Sequence, residues 1–269
     1  MLTLRPHQQR ALAALENNTH GQVIVPTGGG KTIIMIKDAQ RRLTAAATPQ
    51  TIVVVAPRIL LANQLCDEFW SAFNGDVDAE FFHVHSGETS FGSSTKVQKI
   101  QCHDAVCKTA GLHQVIFTTY NSLRRVVEAG INIDCIYYDE AHNSVRRDFF
   151  ESVLNVDAKS YYFFTATPKH TRSPYGRGMN NSMVYGPILE TVPAPELVNN
   201  GSILAPEVVS YEVDFERVKG KFSYESDKDT LTNLINDIDA DGNKILIAAP
   251  SSKIMFNLLT KTSVLDFFH

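Results

Sequence analysis

The sequence lacks the features that mark membrane, secreted and disordered proteins. No apolar run approaches the roughly 20 residues that span a bilayer. The start, Met1-Leu-Thr-Leu-Arg-Pro-His, lacks the basic and apolar regions of a signal peptide. Repeats and low-complexity tracts are also absent. These absences predict an intracellular protein, in the cytoplasm, the nucleoid or the nucleus, with no membrane partner.

Cysteine is scarce, and its spacing is irregular. The four residues are Cys66, Cys102, Cys107 and Cys135. Without a secretory segment, a disulfide framework is not expected, and a reducing compartment fits best. Cys102 and Cys107 are close in sequence to four histidines, namely His83, His85, His103 and His113. That cluster leaves a zinc site open, but a single C-x4-C pair is also typical of free thiols packed on a helix.

The chain has no excess of positive charge. Lys plus Arg number 25 and Asp plus Glu number 29, which gives a net charge of −4. Any contact with a polyanion must therefore come from a local basic surface. Apolar residues make up 43% and charged residues 20%, the balance of a globular enzyme. The 269 residues exceed the usual size of one domain, roughly 100 to 200 residues, so a second, partial domain is expected.

Short apolar runs rich in β-branched residues alternate with longer helical patterns, which is typical of βαβ units. The predicted strands are Gln22–Val25, Thr51–Ala56, Ala79–His83, Gln114–Thr118, Cys135–Tyr138 and Tyr161–Thr165. The predicted helices are Lys31–Leu43, Ile59–Phe73, Lys96–Ala110, Ser122–Ala129 and Arg146–Leu154. Several strands are continuously apolar, as expected when both faces of a sheet are covered. The pattern therefore predicts an α/β fold with a doubly wound parallel sheet.

The amino-acid composition of the sequence changes after Thr167. The stretch from His170 to Pro195 is rich in Gly, Pro, Asn and Ser, and the acidic region that follows includes a short strand pattern at Val208–Val213. Another buried-strand pattern begins at Lys244, and a helical pattern continues to about Lys261. We expect a first domain over residues 1–190, a connector over 191–228, and the incomplete start of a second α/β domain over 229–269.

The strongest local signal is a phosphate-binding loop. It reads Pro26, Thr27, Gly28, Gly29, Gly30, Lys31 and Thr32, between an apolar strand and an apolar helix. Glycines let the backbone aim N–H groups at phosphate oxygens, and the helix that follows adds its positive dipole end. In such a loop Lys31 pairs with the β and γ phosphates, and Thr32 binds Mg²⁺. Val25 stands where the strict pattern has glycine, but strand, glycines, lysine, hydroxyl and helix all occur in order.

A second signal is a pair of carboxylates at a strand end. Cys135–Tyr138 reads as a buried strand and is followed directly by Asp139-Glu-Ala-His142. Alone, an Asp-Glu pair in this position is usually a solvated turn. Beside a phosphate-binding loop, the pattern predicts that Asp139 holds Mg²⁺ and that Glu140 activates the attacking water.

Taken together, these segments resemble motifs I, II and III of superfamily 2 helicases, with a DEAH box at Asp139–His142 and Thr165-Ala-Thr167 as motif III. The restriction-enzyme and excision-repair branch is the more similar. The resemblance covers Leu4 to Thr167 and implies a RecA-like ATPase domain. It also implies that Lys244–Ser251 opens a second RecA-like domain and includes motif IV.

The resemblance implies specific roles for further residues. Leu4-Arg-Pro-His-Gln8 is similar to the family's adenine-reading element, so Arg5 and Gln8 are expected to bind the nucleotide, with His7 where a tyrosine is common. Catalysis is assigned to Lys31, Asp139, Glu140 and His142. Thr165 and Thr167 are expected to couple the ATP site to strand binding. His142 could equally be a satisfied buried histidine, and the two threonines could be local strand-end hydroxyls.

Nucleic-acid contacts are expected from the segments after two neighbouring strands. Ala56-Pro-Arg58 resembles motif Ia, and Thr118-Thr-Tyr120 occupies the place of another strand-contacting element, which makes Arg58 and Thr119 the candidates. Such contacts to phosphate encode no base sequence. The stretch from His170 to Asn181 either folds over nucleic acid or simply connects. The branch that the motifs resemble favours DNA over RNA, bound by a monomeric motor.

The expected activity is ATP hydrolysis with Mg²⁺, coupled to strand movement as a helicase or translocase. The motifs V and VI of the second domain, with their arginines, are absent, which predicts weak turnover by this chain alone. Two alternatives remain open: a restriction-type translocase that does not unwind, and a module that binds nucleotide or nucleic acid without turnover.

Overall fold

The computed structural model describes residues 4–73, 75, 77–205, 228–233 and 251–261. Two compact units divide the chain, one over Met1–Ala205 and the other over Pro206–His269. In the second unit, the described residues 228–233 are helical and Ser252–Lys261 form a helix. The first unit contains the sheet and both motifs identified in the sequence.

The first unit is built on an eight-stranded sheet in which every described pair of strands is parallel. The strands are β1 (His20–Ile24), β2 (Thr51–Ala56), β3 (Ala79–Val84), β4 (Gly92–Ser93), β5 (His113–Thr119), β6 (Cys135–Tyr138), β7 (Tyr161–Thr165) and β8 (Ile188–Thr191). Their order across the sheet is β4-β3-β5-β2-β6-β7-β1-β8. The carboxyl ends of β1, β7, β6, β2 and β5 therefore meet along one edge.

Helices cover both faces of the sheet. They are α1 (Pro6–Glu16), α2 (Lys31–Ala45), α3 (Ile59–Phe73), α4 (Val97–Ala110), α5 (Leu123–Ala129), α6 (Arg147–Leu154), α7 (Ser182–Tyr185) and α8 (Ala194–Asn199), with a 3₁₀ turn at Ala141–Asn143. The apolar core on one face includes residues of α1, α2, α3 and α8, and the core on the other includes residues of α4 to α7.

The central strand β2 shows why the sheet is covered on both sides. All six of its residues are buried. Val54 belongs to one core cluster, and Val53 and Val55 belong to the other, because successive side chains of a strand point to opposite faces. The continuous apolar run thus encodes a two-sided strand, and the prediction of a doubly wound parallel α/β sheet is confirmed.

All six predicted strands and all five predicted helices are present, with ends that shift by at most two residues. The helix α1, the strands β4 and β8, and the helices α7 and α8 were not predicted. Two of these, β8 and α8, overlap the predicted connector, and α7 lies in the Gly- and Pro-rich stretch before it. Because β8 pairs with β1 and Leu197 of α8 enters the core, the first unit extends to Ala205, past the predicted boundary at residue 190. The strand patterns at 208–213 and 244–250 lie outside the described residues.

The cysteines are free, and Cys66, Cys107 and Cys135 are buried. Within the described ranges, no group of three or more His, Cys, Asp or Glu side chains could hold a metal ion. Among the helices of these same ranges, none combines the length and apolar character needed to cross a membrane.

Candidate ATP-binding site

The loop between β1 and α2 has the backbone shape that phosphate binding requires. Gly28 and Gly30 adopt positive φ angles of 81° and 83°, which side-chain-bearing residues rarely adopt. The Gly29 amide donates to the Pro26 carbonyl at 3.0 Å, which closes the turn. α2 begins at Lys31, so its unpaired N–H groups lie at the end of this loop.

Neighbouring segments press closely against the loop glycines. A Cβ on Gly30 would clash with the Gln8 amide, and one on Gly28 would lie 2.9 Å from the Ile203 side chain. A Cβ on Gly29 would clash with Val25 and would lie 3.0 Å from the Leu197 side chain. The loop is thus enclosed by α1 on one side and by the segment around α8 on the other. No pattern in the sequence predicts this second contact.

The predicted nucleotide element Leu4–Gln8 lies directly against the loop. Gln8 is 3% exposed, and its Oε1 accepts a hydrogen bond from the Arg5 backbone at 2.9 Å. His7 is fully buried, and its Nε2 donates to the Gly29 carbonyl at 2.8 Å. The Arg5 side chain itself is exposed. The segment Leu4–Gln8, which precedes β1, is therefore in direct contact with the glycine loop, which follows β1.

The acidic pair follows β6 on the same edge of the sheet. Lys31 Nζ lies 3.3 Å from Glu140 Oε1, although more than 100 residues separate them in sequence. The two side chains are 10% and 28% exposed. This ion pair brings the glycine loop and the predicted water-activating carboxylate together.

Asp139 lies in an environment that disfavours its negative charge. Burial is the main cause, and the neighbouring Glu140 adds to it, so that the pKa of Asp139 rises to about 6. Lys31 acts in the opposite direction. A carboxylate held in this way gains most from a nearby cation, and such perturbed groups are common in functional sites.

Glu140 has a backbone conformation that is unusual for its residue type. Its φ of 44° is the one positive value at a non-glycine residue in the part of the chain that the structure describes. Such strain costs of order 1–3 kcal/mol and persists only where surrounding contacts hold it. The Asn143 side chain and backbone N–H groups both donate to the Glu140 carbonyl at 2.9 Å. Asn143, which the sequence did not single out, thus supports the position of Glu140.

His142 connects the acidic motif to the end of β7. Its Nδ1 lies 3.0 Å from Thr165 Oγ1 and 3.4 Å from Glu140 Oε2. The Asn143 amide approaches Nε2 at 3.4 Å, which places the ring proton on Nδ1. Burial lowers the pKa of His142, so the ring is neutral at neutral pH. The Thr165 hydroxyl also accepts the Thr167 backbone N–H at 3.2 Å.

The two candidate nucleic-acid residues differ in accessibility. Ala56 of β2 pairs in register with Thr119 of β5, so Thr119 ends one strand and Arg58 lies two residues after the end of its neighbour. The Arg58 side chain is exposed, but Thr119 is only 4% exposed. The next residue, Tyr120, is buried, and its hydroxyl donates to the Asp139 carbonyl at 2.9 Å. The strand-end segment is therefore bonded to the acidic motif through Tyr120, a contact that sequence reasoning missed.

The chain is similar to ATP-dependent restriction enzymes of known structure. It aligns with a nuclease-deletion mutant of the type ISP restriction-modification enzyme LlaGI in complex with a DNA substrate mimic, at a TM-score of 0.63 and 22% identity, over 89% of this chain and 23% of that one. The DNA-bound type ISP enzyme LlaBIII aligns at a TM-score of 0.59 and 21% identity, over 74% of this chain and 16% of that one. At these identities the likeness shows the fold.

Curated sequences show the same relationship. The endonuclease subunit of the type I restriction enzyme SauMSSORF170P from Staphylococcus aureus (strain MSSA476) is 22% identical over 210 residues, which cover 76% of this chain and 21% of the relative. The subunit of SsaAORF53P from Staphylococcus saprophyticus is 21% identical over 242 residues, 88% of this chain and 24% of the relative. The chain thus spans about a fifth to a quarter of the length of these relatives.

The family model of the type III restriction enzyme res subunit matches residues 1–170, the segment that contains the glycine loop, the acidic pair and the strand-end threonines. That match covers more than half of the chain. The fold and the restriction-enzyme relatives agree with it, and the resemblance to superfamily 2 helicases is confirmed. The chain belongs to the type III restriction enzyme res subunit family.

Proposed function

We propose that the unit Met1–Ala205 binds Mg-ATP at the carboxyl edge of its sheet and hydrolyses it to drive movement along DNA. The observation that carries the proposal is the 3.3 Å contact between Lys31 Nζ and Glu140 Oε1. It brings a phosphate-binding lysine and a candidate general base together beside the glycine loop. Such a pair has no evident structural purpose at a partly exposed strand edge.

The loop residues fit a triphosphate. The positive φ angles of Gly28 and Gly30 and the start of α2 present backbone N–H groups to an anion. Lys31 adds a fixed positive charge, which is only 10% exposed. Gln8, whose amide lies beside Gly30, and Arg5, whose backbone N–H donates to Gln8, are assigned to the adenine end of the nucleotide.

The neighbouring groups also fit a magnesium ion. Thr32 and Asp139 would hold it, and the raised pKa of Asp139 supports this assignment because a bound cation offsets the cost of its buried charge. Oxygen ligands are those that Mg²⁺ prefers. When bound, the ion would neutralise charge on the phosphates and align them.

Glu140 is the residue best placed to orient and deprotonate the attacking water. Its position is fixed by the Asn143 hydrogen bonds and by the contact with His142. His142 and Thr165 link this carboxylate to Thr167, which lies two residues after the end of β7. We assign these three residues to coupling between the ATP site and the DNA.

DNA is the proposed polymer because the solved relatives are bound to DNA or to a DNA substrate mimic. Arg58 is exposed after β2 and is assigned to phosphate contact. Thr119 is buried, so its assignment depends on the backbone of the same segment. We further propose that a single chain forms the motor unit.

The test is nucleotide binding and hydrolysis by the chain, with and without single-stranded DNA, duplex DNA and RNA. Fluorescent ATP in the presence of Mg²⁺ reports binding, and phosphate release reports turnover. Lys31→Ala is expected to abolish binding, and Glu140→Gln is expected to retain binding without turnover. Lys37→Ala, on the same helix and bonded to Gln40, is the matched control.

Each outcome selects among the candidate activities. Turnover that depends on Lys31 and is stimulated by DNA supports a motor, and a strand-displacement assay beside a translocation assay then separates a helicase from a translocase that does not unwind. Binding without turnover, even with DNA, supports a nucleotide-dependent binding module. Failure to bind nucleotide would overturn the assignment of the site.

A further inference from the structure

A basic segment follows motif III and has no role in the ATP site. Residues 169–181, here the basic loop, contain Lys169, Arg172 and Arg177, and no Asp or Glu occurs between Asp157 and Glu190. The chain as a whole is acidic, with a net charge of −4. All three cations are exposed, and none forms an ion pair within the part of the chain that the structure describes. The loop is therefore a local concentration of unpaired positive charge.

Hydrogen bonds within the basic loop give it a defined shape. The Thr171 N–H donates to Asn180 Oδ1 at 2.9 Å, and Asn180 Nδ2 donates to the Thr171 carbonyl at 2.9 Å. The Gly178 N–H donates to the Thr171 hydroxyl at 3.1 Å. These contacts join the two ends of the loop across its base. It is thus a closed structure, in contrast to the flexible connector that composition alone would suggest.

The base of the basic loop is fixed to the sheet. Met179 is 1% exposed and packs in the core, its N–H donates to the Lys169 carbonyl at 2.7 Å, and its carbonyl accepts from the Gln22 side chain of β1 at 3.0 Å. The buried Tyr185 hydroxyl donates to the Arg177 carbonyl at 3.0 Å. The backbone of the loop is therefore held against β1, while the Lys169, Arg172 and Arg177 side chains are exposed.

An aromatic side chain projects from the middle of the basic loop. Tyr175 lies between Pro174 and Gly176, and its side chain is 81% exposed. A tyrosine ring that is exposed in this way does not contribute to stability by burial. Bases of single-stranded nucleic acid stack on such rings, and flanking cations bind the phosphates. The combination of an exposed ring with three exposed cations matches that partner.

The position of the basic loop connects it to the ATP site. It begins two residues after Thr167, and the charge of Lys169 contributes to lowering the pKa of His142. The start of the basic loop is therefore close enough to the His142–Thr165 link for its charge to act on it.

We infer that the basic loop is a contact for single-stranded DNA, in which Tyr175 stacks on a base and Arg172 and Arg177 bind phosphates. The inference rests on the proposed DNA-dependent function and adds a specific contact to it. It does not depend on hydrolysis. An acidic protein partner is the competing occupant, and the test separates the two.

The experiment is fluorescence anisotropy of a labelled oligothymidylate with the full chain, without nucleotide, at a series of salt concentrations. Tyr175→Ala is expected to weaken binding about tenfold, whereas Tyr175→Phe keeps the ring and should bind like the wild type. Arg172→Ala and Arg177→Ala should each reduce the slope of log affinity against log salt by about 0.7. Arg10→Ala, an arginine paired with Glu190 and Glu196, is the control.

Each result decides the inference. If the loop variants bind like the wild type, the basic loop is not a DNA contact, while the proposed function stands. If Tyr175→Ala and Tyr175→Phe lose affinity equally, stacking is wrong. If the wild type binds fluorescent ATP but no nucleic acid, both the inference and the DNA-dependent part of the proposed function fall. Unchanged ATP binding by the loop variants shows that they are folded.

Discussion

Buried carboxylates have different partners in the interior of the first unit and at the carboxyl edge of its sheet. Asp38, midway along α2, is fully buried, and its oxygens accept hydrogen bonds from Arg41, Arg42 and the Tyr137 hydroxyl at 2.5–2.7 Å. Asp139, at the carboxyl edge, forms no ion pair with any described residue, and burial raises its pKa to about 6. One charge is compensated within the fold, and the other is not.

The Asp38 cluster has a structural role, which Asp139 does not share. Arg42 also donates to the Tyr162 hydroxyl and to Ser160 Oγ, so the Asp38 cluster joins α2 to β6 and β7. Removing one partner from such a cluster leaves a charge buried without compensation. At Asp139 the cost is already present in the folded protein, and a cation from solution can offset it. The buried charge of Asp139 is thus left without an ion-pair partner among the described residues, at the position where a ligand is expected.

The largest expected effect tests this comparison directly. Asp38→Asn should lower the free energy of unfolding by about 3–5 kcal/mol, because Arg41 and Arg42 lose their buried partner. Asp139→Asn, the same change at the edge, should cause no loss in the absence of Mg²⁺. Urea denaturation followed by circular dichroism measures both. Equal losses in the two variants would show that the comparison is wrong.

The second effect extends the comparison to a buried histidine. His83 is fully buried, its Nδ1 lies 2.8 Å from His85 Nε2, and burial lowers its pKa from 6.5 to about 4. Because the folded pKa is depressed, the fold favours the neutral ring. Its contribution to stability is therefore present above pH 6.5 and is lost as the pH falls towards 4. The loss should reach about 3 kcal/mol.

His83→Phe removes this titration and keeps a ring against Phe91 and Phe117. We expect the variant to lose less stability than the wild type between pH 7 and pH 4.5, as measured by urea denaturation. His170→Phe, at an exposed position, is the control. A variant with the same pH dependence as the wild type would contradict the assignment.

A smaller effect distinguishes two tyrosines beside the acidic motif. The Tyr120 hydroxyl donates to the Asp139 carbonyl, whereas the Tyr138 hydroxyl is buried with no hydrogen-bond partner among the described residues. Tyr120→Phe should lower the free energy of unfolding by about 1–2 kcal/mol because a buried carbonyl loses its donor. Tyr138→Phe should be neutral or stabilising. The reverse order in a denaturation experiment would show that the Tyr120 contact contributes nothing.

The smallest effect concerns an ion pair that is not buried. Arg125 and Glu128 lie 2.8 Å apart on α5 and are 39% and 47% exposed. Arg125→Ala should change the free energy of unfolding by no more than about 0.5 kcal/mol, because solvent screens both charges. Thermal unfolding with the wild type alongside measures it. A loss comparable to that of Asp38→Asn would show that pairing, rather than burial, sets the cost.

The sequence predicted the parts of the fold that depend on neighbours in the chain. Thr51–Ala56 is continuously apolar, and any such run is expected in a strand covered on both sides. The strand β8, in contrast, has a partly exposed, mixed sequence in a region rich in glycine and proline. It forms because it pairs with β1. No local pattern reports such a distant partner.

The candidate site likewise contains features that the sequence predicted and contacts that it did not. The glycine loop and the acidic strand end were recognisable because each needs particular residues next to one another, and both are where the sequence predicted. The contacts of Tyr120, Asn143 and Leu197 with these motifs were not recognisable. Each depends on which helix or strand end lies beside the motif, which the strand order decides.

Local sequence patterns predicted the α/β class, the glycine loop, the acidic pair and the family resemblance, because each depends on the conformational and chemical preferences of adjacent residues. The folded chain added three features: the contact between Lys31 and Glu140, the burial of Thr119 with Arg58 left exposed, and the closed basic loop held against β1. These features could not be predicted because packing and hydrogen bonds between segments far apart in the chain set them.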